Sequence, residues 1–221
     1  MVKEFPDQAV RYFKRAVPEG QPLYQAAWIT MKGRLKLKDW SPFCAEEVIC
    51  WPHGFVWGAR TKMGGLPVTG FDESLDGVGR MDWRVFGFLP VARADGEAVS
   101  QSAMARFVGE LIWIPTVFMT APVDWSIIDG DVLATVATDS GPVAVLLKID
   151  HEGVVRQVSL QRYRTDSKMI ETFVVESDAE GDFGGLRVPS RIRAGWGSKD
   201  RRLDPDGAFF EAEIESIEFR S

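Results

Sequence analysis

Two cysteines and two histidines are all that this chain of 221 residues contains. So few cysteines cannot staple a disulfide scaffold, and Cys44 and Cys50 read as free core thiols of a protein in a reducing compartment. His53 and His151 have no cysteine or carboxylate cluster around them at ligand spacing, so no metal site is expected. Basic blocks are lacking as well. The net charge is −6, and no run of lysine and arginine is long enough to follow a phosphate backbone, which argues against nucleic acid or an anionic membrane surface as a partner. Long apolar runs are absent too. The stretch from Leu111 to Val123 is interrupted by Pro115 and Pro122 and falls short of the about 20 residues that a bilayer span requires. The N-terminal Met1-Val-Lys-Glu-Phe-Pro-Asp7 has no apolar segment of the secretory kind, so a cytoplasmic location is expected. No G-x-S-x-G occurs. Gly181-Asp-Phe-Gly-Gly185 lies between strand-like segments and opens no helix, so nucleotide, flavin and other cofactors lose their usual signature.

What is present is the composition of a globular protein, 45% hydrophobic and 26% charged, consistent with one domain over residues 1–221. Val10, Phe13, Ala16 and Val17 recur at helical spacing, predicting a short helix over 7–17 that Pro18 and Gly20 end. The period then changes to two. Ala27 to Lys38 reads as a strand, as does the segment in which Phe55, Trp57 and Ala59 alternate with Val56, Gly58 and Arg60, whereas Trp40 to Cys50 is ambiguous. Asp76-Gly77 between alternating segments marks a hairpin. The helical period returns over 98–113, where Val99, Ala103, Met104, Phe107, Val108, Leu111 and Ile112 share one broad face and Pro115 is expected to stop the helix.

Downstream, turn chemistry recurs at Asp139-Ser-Gly, Asp150-His-Glu-Gly, Thr165-Asp-Ser-Lys and Ser198 to Gly207, which predicts a meander. Arg187, Arg191 and Arg193 oppose the apolar face of one strand, and Glu211, Glu213 and Glu215 that of the next. Paired, they form a solvent face of cross-strand ion pairs. After Ser216 the alternation inverts, predicting a bulge or the strand leaving the sheet. The architecture expected is mainly β with one long helix: a curved antiparallel meander that forms a half-barrel around that helix, with a cavity between the two.

Several segments, Gly33-Arg-Leu35, Trp40-Ser-Pro-Phe-Cys-Ala-Glu-Glu47, Gly54-Phe-Val-Trp-Gly-Ala-Arg60, Asp76-Gly-Val-Gly-Arg80, Phe86-Gly-Phe-Leu-Pro-Val-Ala92, Ala105-Arg-Phe-Val-Gly-Glu-Leu-Ile-Trp-Ile-Pro115 and Arg162-Tyr-Arg164, together resemble an uncharacterised bacterial family of unknown function. The likeness covers nearly the whole chain. That family is similar to the lipoprotein-carrier (LolA/LolB-like) half-barrels, which implies a sheet of about eleven strands holding a helix. Such a shape serves carriers of lipophilic molecules and cofactor-free enzymes alike.

Arg106 and Glu110 stand one helical turn apart beside the apolar stripe of the long helix. They form either a solvated surface pair or, if the sheet encloses the helix, an acid/base group with an electrostatic stabiliser. Tyr163 could join them as a third catalytic group. Trp57, Trp83, Trp113, Phe107 and Arg60 are the candidates for lining a pocket for a small, mainly apolar molecule. Six of the eight tryptophans precede residue 114. The first functional expectation is therefore cofactor-independent acid/base chemistry of the isomerase, lyase or cyclase type on such a molecule. The alternative is a non-catalytic carrier or sequestering protein for a lipophilic ligand.

Overall fold

The structure is a computed structural model and describes residues 5–221. Helix α1 (Asp7–Ala16) leads into six strands, β1 (Ala26–Lys36), β2 (Trp40–Cys50), β3 (Gly54–Met63), β4 (Leu66–Leu75), β5 (Val78–Val85) and β6 (Leu89–Ala94). Helix α2 (Glu97–Glu110), a 3-10 turn over Leu111–Trp113 and a short helix α3 (Pro115–Thr120) follow. Seven more strands complete the chain: β7 (Val123–Ile128), β8 (Asp131–Thr138), β9 (Gly141–Ile149), β10 (Val155–Arg164), β11 (Met169–Phe183), β12 (Leu186–Gly197) and β13 (Leu203–Arg220). All thirteen form one open antiparallel sheet in the order β6-β5-β4-β3-β2-β1-β13-β12-β11-β10-β9-β8-β7. The chain thus walks from the middle of the sheet to one edge, crosses to the far edge through α2 and α3, and walks back until β13 pairs with β1.

That crossover explains the curvature. Helix α2 packs against β3, β4 and β5 on one side and against β9 and β10 on the other. β4 and β10 are seven strands apart in the sheet, about 34 Å at roughly 4.8 Å per strand if the sheet were flat. A helix only about 10–12 Å across reaches both only if the sheet bends around it. Apolar side chains on all sides of the crossover are what this enclosure requires. Phe107, Val108, Leu111 and Ile114 have no exposed surface, and each such burial contributes about 1.5–3 kcal/mol relative to exposure. Helix α1 adds a second aromatic layer, with Phe13 edge-on to Trp125 at 5.7 Å.

The strands alternate as half-buried strands do. In β2, Phe43, Ala45, Glu47 and Ile49 are buried, which resolves the ambiguous 40–50 segment as a strand. The same alternation turns the cysteines away from the core. They are free, but Cys44 is exposed and Cys50 only partly buried, which corrects the expectation of core thiols. Asp76 and Gly77 both take positive φ, 47° and 83°, as the tight turn between β4 and β5 demands. At Thr30/Met31 the pairing of β1 with β13 slips, leaving Glu215 between Ser216 and Ile214 without a partner. This is the bulge that the inverted alternation predicts. Arg193 lies opposite Glu211 and Arg191 opposite Glu213, although the Arg191 guanidinium turns to Asp178 at 2.9 Å.

The long helix needs one correction. Regular α-helix ends at Glu110, and Pro115 starts α3 rather than stopping a helix, because a proline at the first helical position sacrifices no intrahelical hydrogen bond.

Candidate functional site

Between α2 and the concave face of the sheet lies a cavity of about 300 Å³. Arg106, Gly109, Glu110 and Trp113 line it from the helix side, at the i, i+3, i+4 and i+7 positions that share one helical face. Their position inside the molecule follows from the enclosure of α2, so the reading of Arg106 and Glu110 as a solvated pair does not hold. The sheet contributes mostly apolar wall, including Met31, Leu35, Trp57, Trp83, Leu160 and Phe173. Leu37, exposed at the end of β1, lies at the open end of the cavity.

Three carboxylates from three different elements converge on Arg106. Its Nε donates to Glu110 Oε1 at 2.6 Å, Nη1 to Asp72 Oδ2 at 3.1 Å and Nη2 to Glu47 Oε1 at 3.1 Å. The guanidinium also stacks over Phe55, 4.5 Å from the ring centroid, and over Trp57 at 5.2 Å. Asp72 is fixed in turn by the indole N–H of Trp83, which donates to its Oδ1 at 2.9 Å. Burial draws Arg106 toward deprotonation, but the surrounding carboxylates, Glu110 foremost, outweigh it and hold the guanidinium charged.

Glu47 is 1% exposed. Burial, and then the charge of Glu110, push its carboxyl well above the ordinary carboxylate range, and Arg106 opposes this only in part. Glu47 therefore keeps its proton where an exposed glutamate has lost it. The protonated carboxyl of Glu47 shares a side-chain hydrogen bond with Glu110, and the Oε2 atoms of both are buried.

A second arginine faces the same cavity. Arg162 lines it beside Leu160, Phe173 and Val175. Its Nε donates to Ser102 Oγ at 3.3 Å, and its guanidinium lies 4.6 Å from the Phe173 ring centroid. The Ser102 hydroxyl donates to the Tyr163 carbonyl at 3.0 Å, tying α2 to β10.

Of the residues singled out from sequence, Arg106, Glu110, Trp57, Trp83 and Trp113 come together here. Phe107 is fully buried on another side of α2, its ring stacked on Trp51 at 5.9 Å. Arg60 is exposed, on the face of β3 that turns away from the cavity. Tyr163 follows Arg162 on β10, and among the described residues it is Arg162, not Tyr163, that reaches the cavity wall. Sequence reasoning left open which of Glu46 and Glu47 faces inward and did not single out Asp72 or Arg162. The signal for Glu47 was available: it occupies a position in the buried alternation Phe43, Ala45, Glu47, Ile49, where a lone carboxylate calls for a cation.

A wider concavity of about 970 Å³ opens on the opposite face of the sheet. Twist makes that face a groove rather than a flat solvent surface. Its charges largely satisfy one another, as in the Arg34–Glu211 and Arg191–Asp178 pairs, and they are exposed, so the enclosed cavity is the better candidate for a ligand site. Among the described residues no group of His, Cys, Asp and Glu side chains is disposed to hold a metal ion, and no helix is long and apolar enough to cross a membrane.

Comparison with known proteins gives a family and a set of distant structural likenesses. Residues 1–205 match a family of unknown function, DUF6544. No curated protein matches the chain. Among solved structures, the chain is similar to a LolA superfamily protein from Nitrosomonas europaea, at 10% identity with a TM-score of 0.46, over 97% of this chain and 92% of that one. It is also similar to a DUF1329 family protein from Desulfovibrio piger, at 10% identity with a TM-score of 0.47, over 96% of this chain and 90% of that one.

Proposed function

We propose, for a chain that belongs to the DUF6544 family of unknown function, that it binds a small, mainly apolar molecule in the cavity beneath α2 and carries or sequesters it unchanged. The observation that carries this reading is the composition of the cavity wall. Aromatic and aliphatic side chains from both halves of the sheet meet the helix around a space of about 300 Å³, which is the form small-molecule sites take. The polar groups at its floor are engaged with one another: all three guanidinium nitrogens of Arg106 are bonded to carboxylates. A Glu110 that holds Arg106 in place is poorly disposed to move a proton on a ligand, which favours carriage over the acid/base chemistry first expected. One feature supports a second, catalytic reading: the buried carboxyl pair of Glu47 and Glu110, of which the protonated member would be the acid.

Titration with N-phenyl-1-naphthylamine, a neutral apolar fluorophore, tests the binding reading. One saturable site is expected, and Ala194→Phe, which fills the cavity from β12, abolishes it without changing the circular dichroism spectrum. Absence of saturable binding, or equal binding by a folded Ala194→Phe protein, refutes the reading. Recovery of a bound compound as a substrate and product pair would favour catalysis instead.

A further inference from the structure

We infer that the ligand of this cavity bears an anionic oxygen group, most simply the carboxylate of a medium-chain acid, and that Arg162 is the residue that receives it. The inference rests on the proposed apolar-molecule binding and adds its polar end.

It starts from the contrast between two arginines in one cavity. Each nitrogen of the Arg106 guanidinium is already bonded to a carboxyl group, of Glu110, Asp72 and Glu47. Other part-buried arginines also have acidic partners, Arg15 of α1 in Glu180 and Arg164 of β10 in Glu171. Arg162 has none within ion-pair distance among the described residues. A serine hydroxyl and the face of a phenylalanine are the contacts recorded for it, and it stands in an otherwise apolar wall.

A cation removed from water and left without a counterion is costly, and folds usually avoid it. Burial first, and then the positive charge of Arg106, draw the Arg162 group down to about 10, while Glu110 and Asp72 oppose this without touching it, so it stays charged at neutral pH with no carboxylate in direct contact. The Ser102 hydroxyl holds its Nε, so the two terminal nitrogens remain for a planar acceptor, the geometry in which guanidinium binds carboxylate.

Size narrows the class. About 300 Å³ is room for roughly ten water-sized groups at ~30 Å³ each, suited to a carboxylate on a chain of about eight to ten carbons. The carboxylate would sit at Arg162, with the chain along Leu160, Phe173 and the tryptophans.

Displacement of N-phenyl-1-naphthylamine by decanoate, 1-decanol and decyltrimethylammonium at pH 7, below their micellar concentrations, tests the inference. Decanoate is expected to bind about ten-fold or more tighter than decanol, the range of a charge-assisted hydrogen bond, and the cation weakest. Arg162→Gln should remove that preference, read as the ratio of decanoate to decanol affinity within the variant, and Arg162→Lys should restore part of it. Decanol binding as tightly as decanoate in the wild type overturns the anionic end and leaves the apolar cavity standing, and this comparison needs no variant to fold. A carboxylate preference that survives Arg162→Gln overturns the assignment to Arg162. Failure of the fluorophore itself to bind removes the cavity reading and the inference together.

Discussion

Replacing the two cavity arginines one at a time by methionine should change stability by very different amounts, although both substitutions delete a positive charge from the same space. In Arg106→Met, the carboxylates of Glu110 and Asp72, now 2.6 and 3.1 Å from a guanidinium nitrogen, lose the charge that compensates them, and the protonated Glu47 loses a hydrogen-bond partner. Stranding one member of a buried ion pair costs about 3–5 kcal/mol, a large part of the about 5–15 kcal/mol that holds a domain together. For a chain of this size that loss corresponds to about 2–4 °C of Tm per kcal/mol. Arg162→Met strands no carboxylate in direct contact and replaces an unpaired cation by an apolar side chain of similar reach. The variant should lie within about 1 kcal/mol of wild type or be more stable. Urea unfolding followed by tryptophan fluorescence reads both, provided the denaturant slopes agree so that midpoints can be compared. Equal losses in the two variants would refute the charge assignment of the cavity.

Other expectations follow from single contacts. Glu47 retains its proton in the fold at pH values where the unfolded chain, titrating near 4.3, has released it. The native state then binds the extra proton, so stability falls as pH rises above about 4.5 until the raised folded value is passed, by at most about 1.4 kcal/mol per pH unit. Glu47→Gln should flatten that slope in a series of pH-dependent unfolding curves, and a slope left intact would assign the proton elsewhere. A Cβ on Gly79 would meet Ser100 Cα and Ala103 Cβ, each at 2.8 Å, so Gly79→Ala should push α2 off β5 and cost about 1–3 kcal/mol by overpacking, against no loss if the helix seat were loose. Arg60→Ala and Tyr163→Phe should leave fluorophore affinity unchanged, and a loss in either would bring that side chain into the site.

The parts of the fold that could be read from the sequence are those set by short-range periodicity. The two-residue alternation of Phe55, Trp57 and Ala59, the Asp76-Gly77 turn and the inverted register after Ser216 each report on local backbone geometry, and each appears as expected. The breadth of the apolar stripe on 98–113 likewise implied an enclosing sheet. What stayed hidden depends on phase and on long-range pairing. On β10 a strict two-residue alternation from Val155 would put Gln157, Ser159, Gln161 and Tyr163 on one face. The pairing with β9 slips between Val155 and Gln157, so the inner face passes from Val155 to Val158, Leu160 and Arg162, and a single bulged residue exchanges Arg162 for Tyr163. Glu47, Asp72 and Arg106 lie on three elements up to 59 residues apart, and no spacing rule brings them together. Arg106 and Glu110 were found because their contact is local to one helix.

Native mass spectrometry of the protein purified gently from its source, compared with the Ala194→Phe variant, tests the central claim most directly. The account predicts an adduct of a small apolar molecule with an acidic end, chemically unaltered on extraction and missing from the variant. An adduct that the folded variant retains in full, or one with no apolar part, would contradict it.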